Sequence, residues 1–258
     1  MHKRTKRILI VVGGIVAVLV IAYGVALIRS TVKLRQACAD LEAAGRPMKA
    51  AQVIPEPVPE DRNAALLYQR AVTTLKELPA PRKDMLDYLG KLAYGFLADD
   101  LDANQVDEFE ELLKREEVAS ALSSLEEAMR RPECRFDRDY KAGKLDGPFG
   151  FHDLRRVAAI ARARAYHQIK AGGGTEVWDI VRGQFKIADA LVSDPSMDTQ
   201  FARLCLIRDC CYTIQKLCGV APPDADTCRK MQDVLKDLDG VEPLVRAVDA
   251  ERLVRGEW

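Results

Sequence analysis

The segment from Cys134 to Arg156, CRFDRDYKAGKLDGPFGFHDLRR, has the densest mixture of side chains that could do chemistry. Asp137, Asp139, Tyr140 and His152 could act together as acids and bases in a hydrolytic site if the fold brought them around one pocket. The chain has no G-x-S-x-G or HExxH motif that would place a nucleophile or a catalytic metal. A hydrolase is therefore an alternative interpretation, and an enzyme is less expected than a binding protein.

Side chains of alternating character follow one another along residues 134–141. Because alternate side chains of an extended chain face opposite sides, Phe136 and Tyr140 are expected to dock together on helices, with the charged neighbours on the other side. Arg155 and Arg208 are expected to pair with one of the segment's two aspartates, since a buried guanidinium needs a carboxylate. We interpret the segment as a structural clasp, with the rim of a binding site as the alternative. The candidate binding residues are Arg135, Asp137, Asp139, Tyr140, Arg155 and Arg208.

Histidine is scarce, and the two histidines outside the N-terminal head lie on one expected helix. His152 and His167 are 15 positions apart, about 22 Å along a helix, so they cannot share a ligand. His152 and Asp153 are neighbours and do not face each other on a helix. Asp153 is therefore expected to cap the start of this helix.

The seven cysteines could be redox-active or simply buried. Cys218 should end one helix and Cys228 begin the next, so an antiparallel hairpin could join them by a disulfide that stabilises the fold by roughly 2 to 3 kcal/mol. The alternative is that all seven are small buried hydrophobic residues. Cys210 and Cys211 point to different sides of a helix, and no CxxC motif completes a tetrahedral site, so neither a metal nor another cofactor is expected.

The elements that must position these residues have helical spacing throughout. DRNAALLYQRAVTTLKEL, beginning at residue 61, has apolar residues at a period of about 3.6, and the same holds for most later segments. Residues 153–171 and 175–192 are expected to form one helical hairpin, and the helix from Met197 is expected to be the most buried. The sequence predicts an all-α domain, built as a bundle or a stack of helical hairpins.

A basic head precedes 21 uncharged residues, 8–28, which as a helix reach roughly 30 Å, enough to cross a lipid bilayer. A cleaved signal peptide usually has an apolar region of only about 7 to 15 residues, so a retained signal anchor is favoured. The chain then divides into the cytoplasmic head and anchor (1–28), a helical stalk ended by Gly45 and a Pro-rich connector (29–60), and the helical domain (61–258).

Charge sets the expected orientation and excludes one class of partner. Lys and Arg are slightly more numerous before the apolar stretch than just after it, which favours a cytoplasmic N-terminus. In a bacterium, the anchor would lie in the inner membrane and the domain in the periplasm. Four of the 39 basic residues and none of the 39 acidic ones fall in residues 1–28, so the remainder is mildly acidic and unsuited to nucleic acid. Gly13 and Ala17 would permit two anchors to pack closely, so a homodimer is possible but unsupported.

Four segments carry a resemblance to other chains: PEPVPEDRNAALLYQRAV at 55–72, CRFDRDY at 134–140, DLRRVAAIARARA at 153–165 and LCLIRDCC at 204–211. With the order of elements, they resemble an uncharacterised family of bacterial single-pass membrane-anchored proteins with an all-helical, tetratricopeptide-like extracytoplasmic domain. The cysteines and the short Gly-rich run after Tyr140 depart from it. The resemblance implies architecture and location, and it assigns no functional residue.

Together these features indicate a membrane-anchored helical scaffold or adaptor that binds envelope proteins or peptides, because stacked helices provide extended binding surfaces. The first alternative is an envelope hydrolase that uses the Gly-rich loop 134–153. The second is a small-ligand receptor with an apolar pocket between helices.

Overall fold

The computed structural model describes residues 2–78, 85–142, 144–145, 150–172, 176–236, 238 and 240–254. Within these ranges it has ten α-helices and no β-strand, and about 75% of it is helical, which confirms the predicted all-α class. The helices are α1 (His2–Ala43), α2 (Ala65–Lys76), α3 (Met85–Ala98), α4 (Ala103–Leu113), α5 (Glu116–Ala128), α6 (Phe151–Lys170), α7 (Glu176–Ala190), α8 (Met197–Val220), α9 (Ala225–Lys236) and α10 (Glu242–Val254).

The chain divides into two compact units, Met1–Gln52 and Val53–Trp258. In the first unit, the part of α1 from Gly14 to Ala43 includes an 18-residue stretch with a mean hydropathy of 2.2, and it is long and apolar enough to cross a membrane. The helix ends as predicted at Gly45, whose φ of 71° suits glycine, and the Arg46 amide donates to the Leu41 carbonyl at 2.9 Å.

Helix α6 is the centre of the second unit. It packs against α2, α3, α7 and α8, and its contact with α3 is the most extensive between any two helices in the described part of the chain. Its alanines, such as Ala158 and Ala165, are fully buried and let neighbouring helices come close. The prediction that α8 is the most buried helix is wrong, because α8 turns Phe201 and Tyr212 outward and buries polar side chains such as Gln200 and Arg203.

The start of α6 confirms the predicted role of Asp153. Its carboxylate accepts a hydrogen bond from the Gly150 amide at 3.1 Å, which satisfies a donor at the helix N-terminus. The same carboxylate accepts from Lys76 Nζ at 2.7 Å, so it also joins α6 to α2. Of the Gly-rich loop that precedes this helix, Gly143 and residues 146–149 lie outside the described residues, as does the side chain of Phe151.

Gly90 marks the closest approach of α3 to α6. A Cβ atom at this position would lie 2.7 Å from Arg156 Cγ and 3.0 Å from its Cβ, and Arg156 is itself held by an ion pair to Asp87. We expect Gly90→Ala to lower the free energy of unfolding by about 1 to 3 kcal/mol, because the Arg156 stem must shift. Urea unfolding measures the change.

The matched control is Gly219→Ala in α8, where an added Cβ meets nothing within 4 Å. This replacement is expected to raise the stability by up to about 1 kcal/mol, because alanine is the better helix former. Equal shifts for Gly90→Ala and Gly219→Ala would contradict a tight α3–α6 contact.

Candidate functional site

The six candidate binding residues do not form one site. Arg155 and Arg208 lie together near Asp209, whereas the other four belong to the segment 134–142 that precedes α6. Segment 134–142 is called the clasp, and Arg155, Arg162, Arg208 and Asp209 form the arginine cluster.

The clasp is fixed by a buried ion pair that the sequence analysis missed. Phe136 is buried as expected, and Asp137 and Asp139 are exposed. The inward arginine is Arg138, whose side chain is 2% exposed and whose Nη2 donates to Asp194 Oδ2 at 2.8 Å and to Thr199 Oγ1 at 2.9 Å. Arg138 has the same parity as Phe136, and this signal could have identified it.

Backbone contacts complete the docking of the clasp. The Asn63 side chain bonds both polar groups of the Arg135 backbone, donating to its carbonyl and accepting from its amide, each at 2.9 Å. Arg135 Nε donates to the Pro55 carbonyl at 3.1 Å, and Ser193 Oγ donates to the Cys134 carbonyl at 3.1 Å. These bonds join the clasp to the Pro-rich segment and to the turn that follows α7, as a structural element would require.

Of the residues of the hydrolase alternative, Asp137, Asp139 and His152 are exposed and Tyr140 is half-buried. In the described part of the clasp, no hydrogen bond joins Asp137, Asp139 and Tyr140 to one another, and Asp139 accepts from the Ala142 amide at 3.1 Å. Burial raises the pKa of Tyr140 to about 12, which makes it a weak acid near neutral pH.

The arginine cluster contradicts the predicted ion pairs. Arg155 and Arg208 bind Asp209, and not Asp137 or Asp139. Arg155 Nη2 donates to Asp209 Oδ2 at 2.8 Å, and Arg208 donates to Oδ1 through Nη2 at 2.8 Å and Nε at 3.1 Å. The physical reason is proximity: Asp209 lies on the inward side of α8 facing α6, whereas both clasp carboxylates face solvent.

Asp209 also binds a tyrosine and stays ionised. Tyr94 Oη donates to Asp209 Oδ2 at 3.3 Å. Burial works against the charge on Asp209, but hydrogen bonds from Arg155 and Arg208 outweigh it and lower the pKa of the carboxyl. The Asp209 carboxylate thus pairs with the guanidinium groups of three arginines.

Arg162 is the most unusual member of the cluster, because its side chain is fully buried. Its Nη1 donates to Gln184 Oε1 at 3.0 Å, and Gln184 is oriented by the Ala158 carbonyl at 3.1 Å. Its Nη2 lies 3.7 Å from Asp209 Oδ2, which is an ion pair without a hydrogen bond. Within the described part of the chain, Nε and Nη2 of Arg162 have no hydrogen-bond partner. Such buried donors are rare in native proteins.

A cavity of about 510 Å³ opens beside this cluster. It lies over α6, with one wall from α3 and the other from α8. Arg162 forms the buried floor, while Arg208, whose side chain is 69% exposed, lies at the mouth. Its lining includes Tyr94, Leu97, Arg162, Arg208, Asp209 and Tyr212.

Asp99 fixes the turn between α3 and α4 that borders the cavity. It has a φ of 59°, and its carboxylate accepts from Lys170 Nζ and Lys216 Nζ at 2.9 Å each and from Tyr166 Oη at 3.3 Å. The hydrogen bonds from Lys216 and Lys170 lower the pKa of Asp99 to about 2. The turn after α3 is thereby joined to both α6 and α8.

Removal of the Asp99 charge should give a pH-dependent loss of stability. The folded-state pKa of about 2 lies below the unfolded value of 3.8, so the stabilisation is complete above pH 3.8 and is lost as pH falls toward 2. We expect Asp99→Asn, which tolerates the positive φ, to cost about 1 kcal/mol or less at neutral pH, since both lysines are partly solvated. Urea unfolding of both proteins checks this. A stability gap that stays constant from neutral pH to about pH 2.5 would contradict the ion pairs.

The predicted disulfide is not formed in the structure. Cys218 and Cys228 are both free and exposed, because α9 packs against α7 and not alongside α8. The alternative of seven buried cysteines does not hold either, since Cys211 is exposed as well. For metals, no group of three or more His, Cys, Asp or Glu side chains within the described ranges is arranged to hold an ion.

Thiol reactivity distinguishes these states. In the folded full-length chain, we expect three thiols to react rapidly with an aromatic disulfide reagent, namely Cys211, Cys218 and Cys228. Cys134 and Cys210 should react only after unfolding, because burial raises the pKa of both, to about 11 for Cys210. Rapid reaction of Cys211 with protection of Cys218 and Cys228 until a reductant is added would show that the disulfide forms.

Comparison of the chain with protein-family models, curated proteins and solved structures gave no significant match.

Proposed function

We propose that this protein is a membrane-anchored adaptor, whose helical domain binds envelope proteins or peptides at the cavity between α3 and α8. The observation that supports this is the cavity itself, which combines charged groups with the aromatic side chains Tyr94 and Tyr212. Aromatic and arginine side chains dominate the energetics of protein recognition. A bundle or stack of helical hairpins, the arrangement predicted from the sequence, would present such a site on a rigid frame.

The surface beside the cavity favours a peptide or protein over a small apolar ligand. Arg208, Asp209 and Arg162 give the cavity a polar side, in contrast to the apolar pocket that a receptor for an apolar ligand would need. On α8, the exposed Tyr212 and Phe201 are 11 residues apart, about 16 Å, and lie on the same side of the helix. A partner that occupies the cavity could therefore extend along α8.

The location that we propose is the bacterial inner membrane, with the N-terminus in the cytoplasm and the helical domain in the periplasm. It is supported by the apolar part of α1 and by the basic residues before it. A membrane-impermeant maleimide added to cells with a permeabilised outer membrane should label the exposed Cys228. Labelling only after lysis would place the domain in the cytoplasm.

Site-specific crosslinking tests the binding function. A photoreactive phenylalanine analogue at Tyr212, which is 45% exposed and lines the cavity, should give discrete adducts in living cells. The matched control is the same analogue at Leu66 in α2, which is 47% exposed and remote in the fold. Adducts that are equally strong at both positions, or absent at Tyr212, would overturn the proposed function.

A further inference from the structure

We infer that the cavity binds a carboxylate with one negative charge, attached to an aromatic or apolar group. A peptide C-terminus and a small organic acid both offer this chemistry. The inference rests on the proposed function for its biological meaning, because it states which chemical group of a partner the adaptor would recognise.

The floor of the cavity supplies the donors. Arg162 is fully buried, and its two nitrogens without hydrogen-bond partners, Nε and Nη2, lie on the same edge of the guanidinium plane. Two parallel N–H donors on one edge match the two oxygens of a carboxylate. Leaving these donors unpaired in the interior costs stability, so a ligand that accepts from them gains affinity.

The neighbours of Arg162 do not neutralise it fully. Asp209 is the nearest acid, but it is shared with Arg155 and Arg208. The Cys210 thiol lies beside the Arg162 guanidinium as a weak acceptor, and it is neutral because burial raises its pKa to about 11. The cluster therefore carries three positive charges and one negative charge in a partly buried space.

The remaining charge favours a monoanion over a dianion. Among the described residues, Asp100 is the other acid that lines the cavity. Counting it with Asp209 and the three arginines of the cluster, of which Arg155 lies outside the lining, leaves a net charge of one positive unit. A carboxylate neutralises this excess, whereas a doubly charged phosphate would leave a negative charge close to Asp209 and Asp100.

The mouth of the cavity can adapt to such a ligand. Arg208 is largely exposed and binds Asp209, its neighbour in sequence, so its guanidinium can turn from Asp209 toward an incoming carboxylate without disturbing the core. Tyr94, Leu97 and Tyr212 then line the space for an aromatic or apolar group next to the carboxylate.

Binding of matched acids and amides tests the inference. The full-length chain in lipid nanodiscs is titrated calorimetrically with 3-phenylpropionate, 3-phenylpropionamide, N-acetyl-Ala-Phe with a free carboxylate, and its C-terminal amide. Each acid should bind at least about tenfold tighter than its amide, because hydrogen bonds to charged groups give this difference. Tighter binding of the peptide acid than of 3-phenylpropionate would assign the carboxylate to a peptide C-terminus, and the reverse order to a small acid.

Variants locate the binding site. Arg208→Gln should weaken the binding of each acid by about tenfold and leave the affinity for the amides unchanged. The control is Arg229→Gln in α9, because its side chain is also 69% exposed and in an ion pair, with Asp226. Arg162→Gln should abolish the preference for acids, provided that its melting temperature shows a folded domain; if it does not fold, Arg208→Gln decides.

Equal affinity for acids and amides, no binding of either acid, or equal effects of Arg208→Gln and Arg229→Gln would overturn the inference. The proposed function fails separately. Crosslinking from Tyr212 without binding of the acids would support the adaptor function and overturn the inferred carboxylate binding. Binding of the acids without crosslinking would support the carboxylate binding and overturn the adaptor function.

Discussion

Replacing Asp194 by alanine is expected to lower the free energy of unfolding by about 3 to 5 kcal/mol, the usual cost of leaving one partner of a buried ion pair without the other. The Arg138 guanidinium would remain in the interior, where its side chain is 2% exposed, with Thr199 Oγ1 as its other hydrogen-bond partner. The Ser196 amide would lose Asp194 Oδ1 as an acceptor at 2.9 Å. Urea unfolding at neutral pH measures the loss.

Two further variants test whether the loss of stability comes from the charge of Asp194 and from its burial. Asp194→Asn keeps an acceptor for the Ser196 amide and removes only the charge, so its loss should be smaller than that of the alanine variant. Asp179→Ala removes an exposed partner of Arg182 at the same distance, 2.8 Å, and should cost less than about 1 kcal/mol. A similar loss for Asp179→Ala and Asp194→Ala would show that the clasp is not held by a buried ion pair.

The sequence predicted the helical class because the apolar period is a local property of the chain. Gly45 and Asp153 were predicted for the same reason, since a helix end depends on a few neighbouring residues. The alternation along residues 134–140 also gave the correct burial of Phe136. Each of these features needs information from one segment only.

The ion pairs could not be predicted in this way. Alternation indicates which side a charged group faces, but it does not indicate which carboxylate lies opposite. Arg208 and Asp209 are neighbours on a helix, and neighbours do not usually face each other, yet the long arginine side chain reaches back to the adjacent carboxylate. The structure decides the pairing by placing α6 against α8.

The cavity could not be predicted from the sequence either, because its residues come from α3, α6 and α8. One signal was present: Arg162 lies four residues after Ala158 and three before Ala165, within the alanine-rich stripe that faces the core. A charged residue at a core position of an otherwise apolar stripe is either paired or functional. Arg162 is the position that such a rule would have selected.

Replacing Asp209 by asparagine is expected to have the second large effect, and with opposite signs for stability and binding. The variant leaves Arg155, Arg162 and Arg208 without their shared carboxylate, so the free energy of unfolding should fall by about 3 kcal/mol at neutral pH. The pKa of Asp209 is lowered in the folded protein, so its contribution is complete above the unfolded pKa and is lost as pH falls below about 4. The stability gap between the two proteins should therefore close in acid.

The same replacement should strengthen the binding of 3-phenylpropionate by about tenfold, provided that the domain stays folded, because the cavity gains one positive charge and loses its internal competitor for Arg162 and Arg208. A merely structural aspartate would lower stability and leave affinity unchanged or weaker. Calorimetric titration of Asp209→Asn beside Arg208→Gln makes the comparison, since the first should gain affinity and the second lose it. Loss of affinity in both variants, with the fold intact, would mean that Asp209 contacts the ligand and does not compete with it.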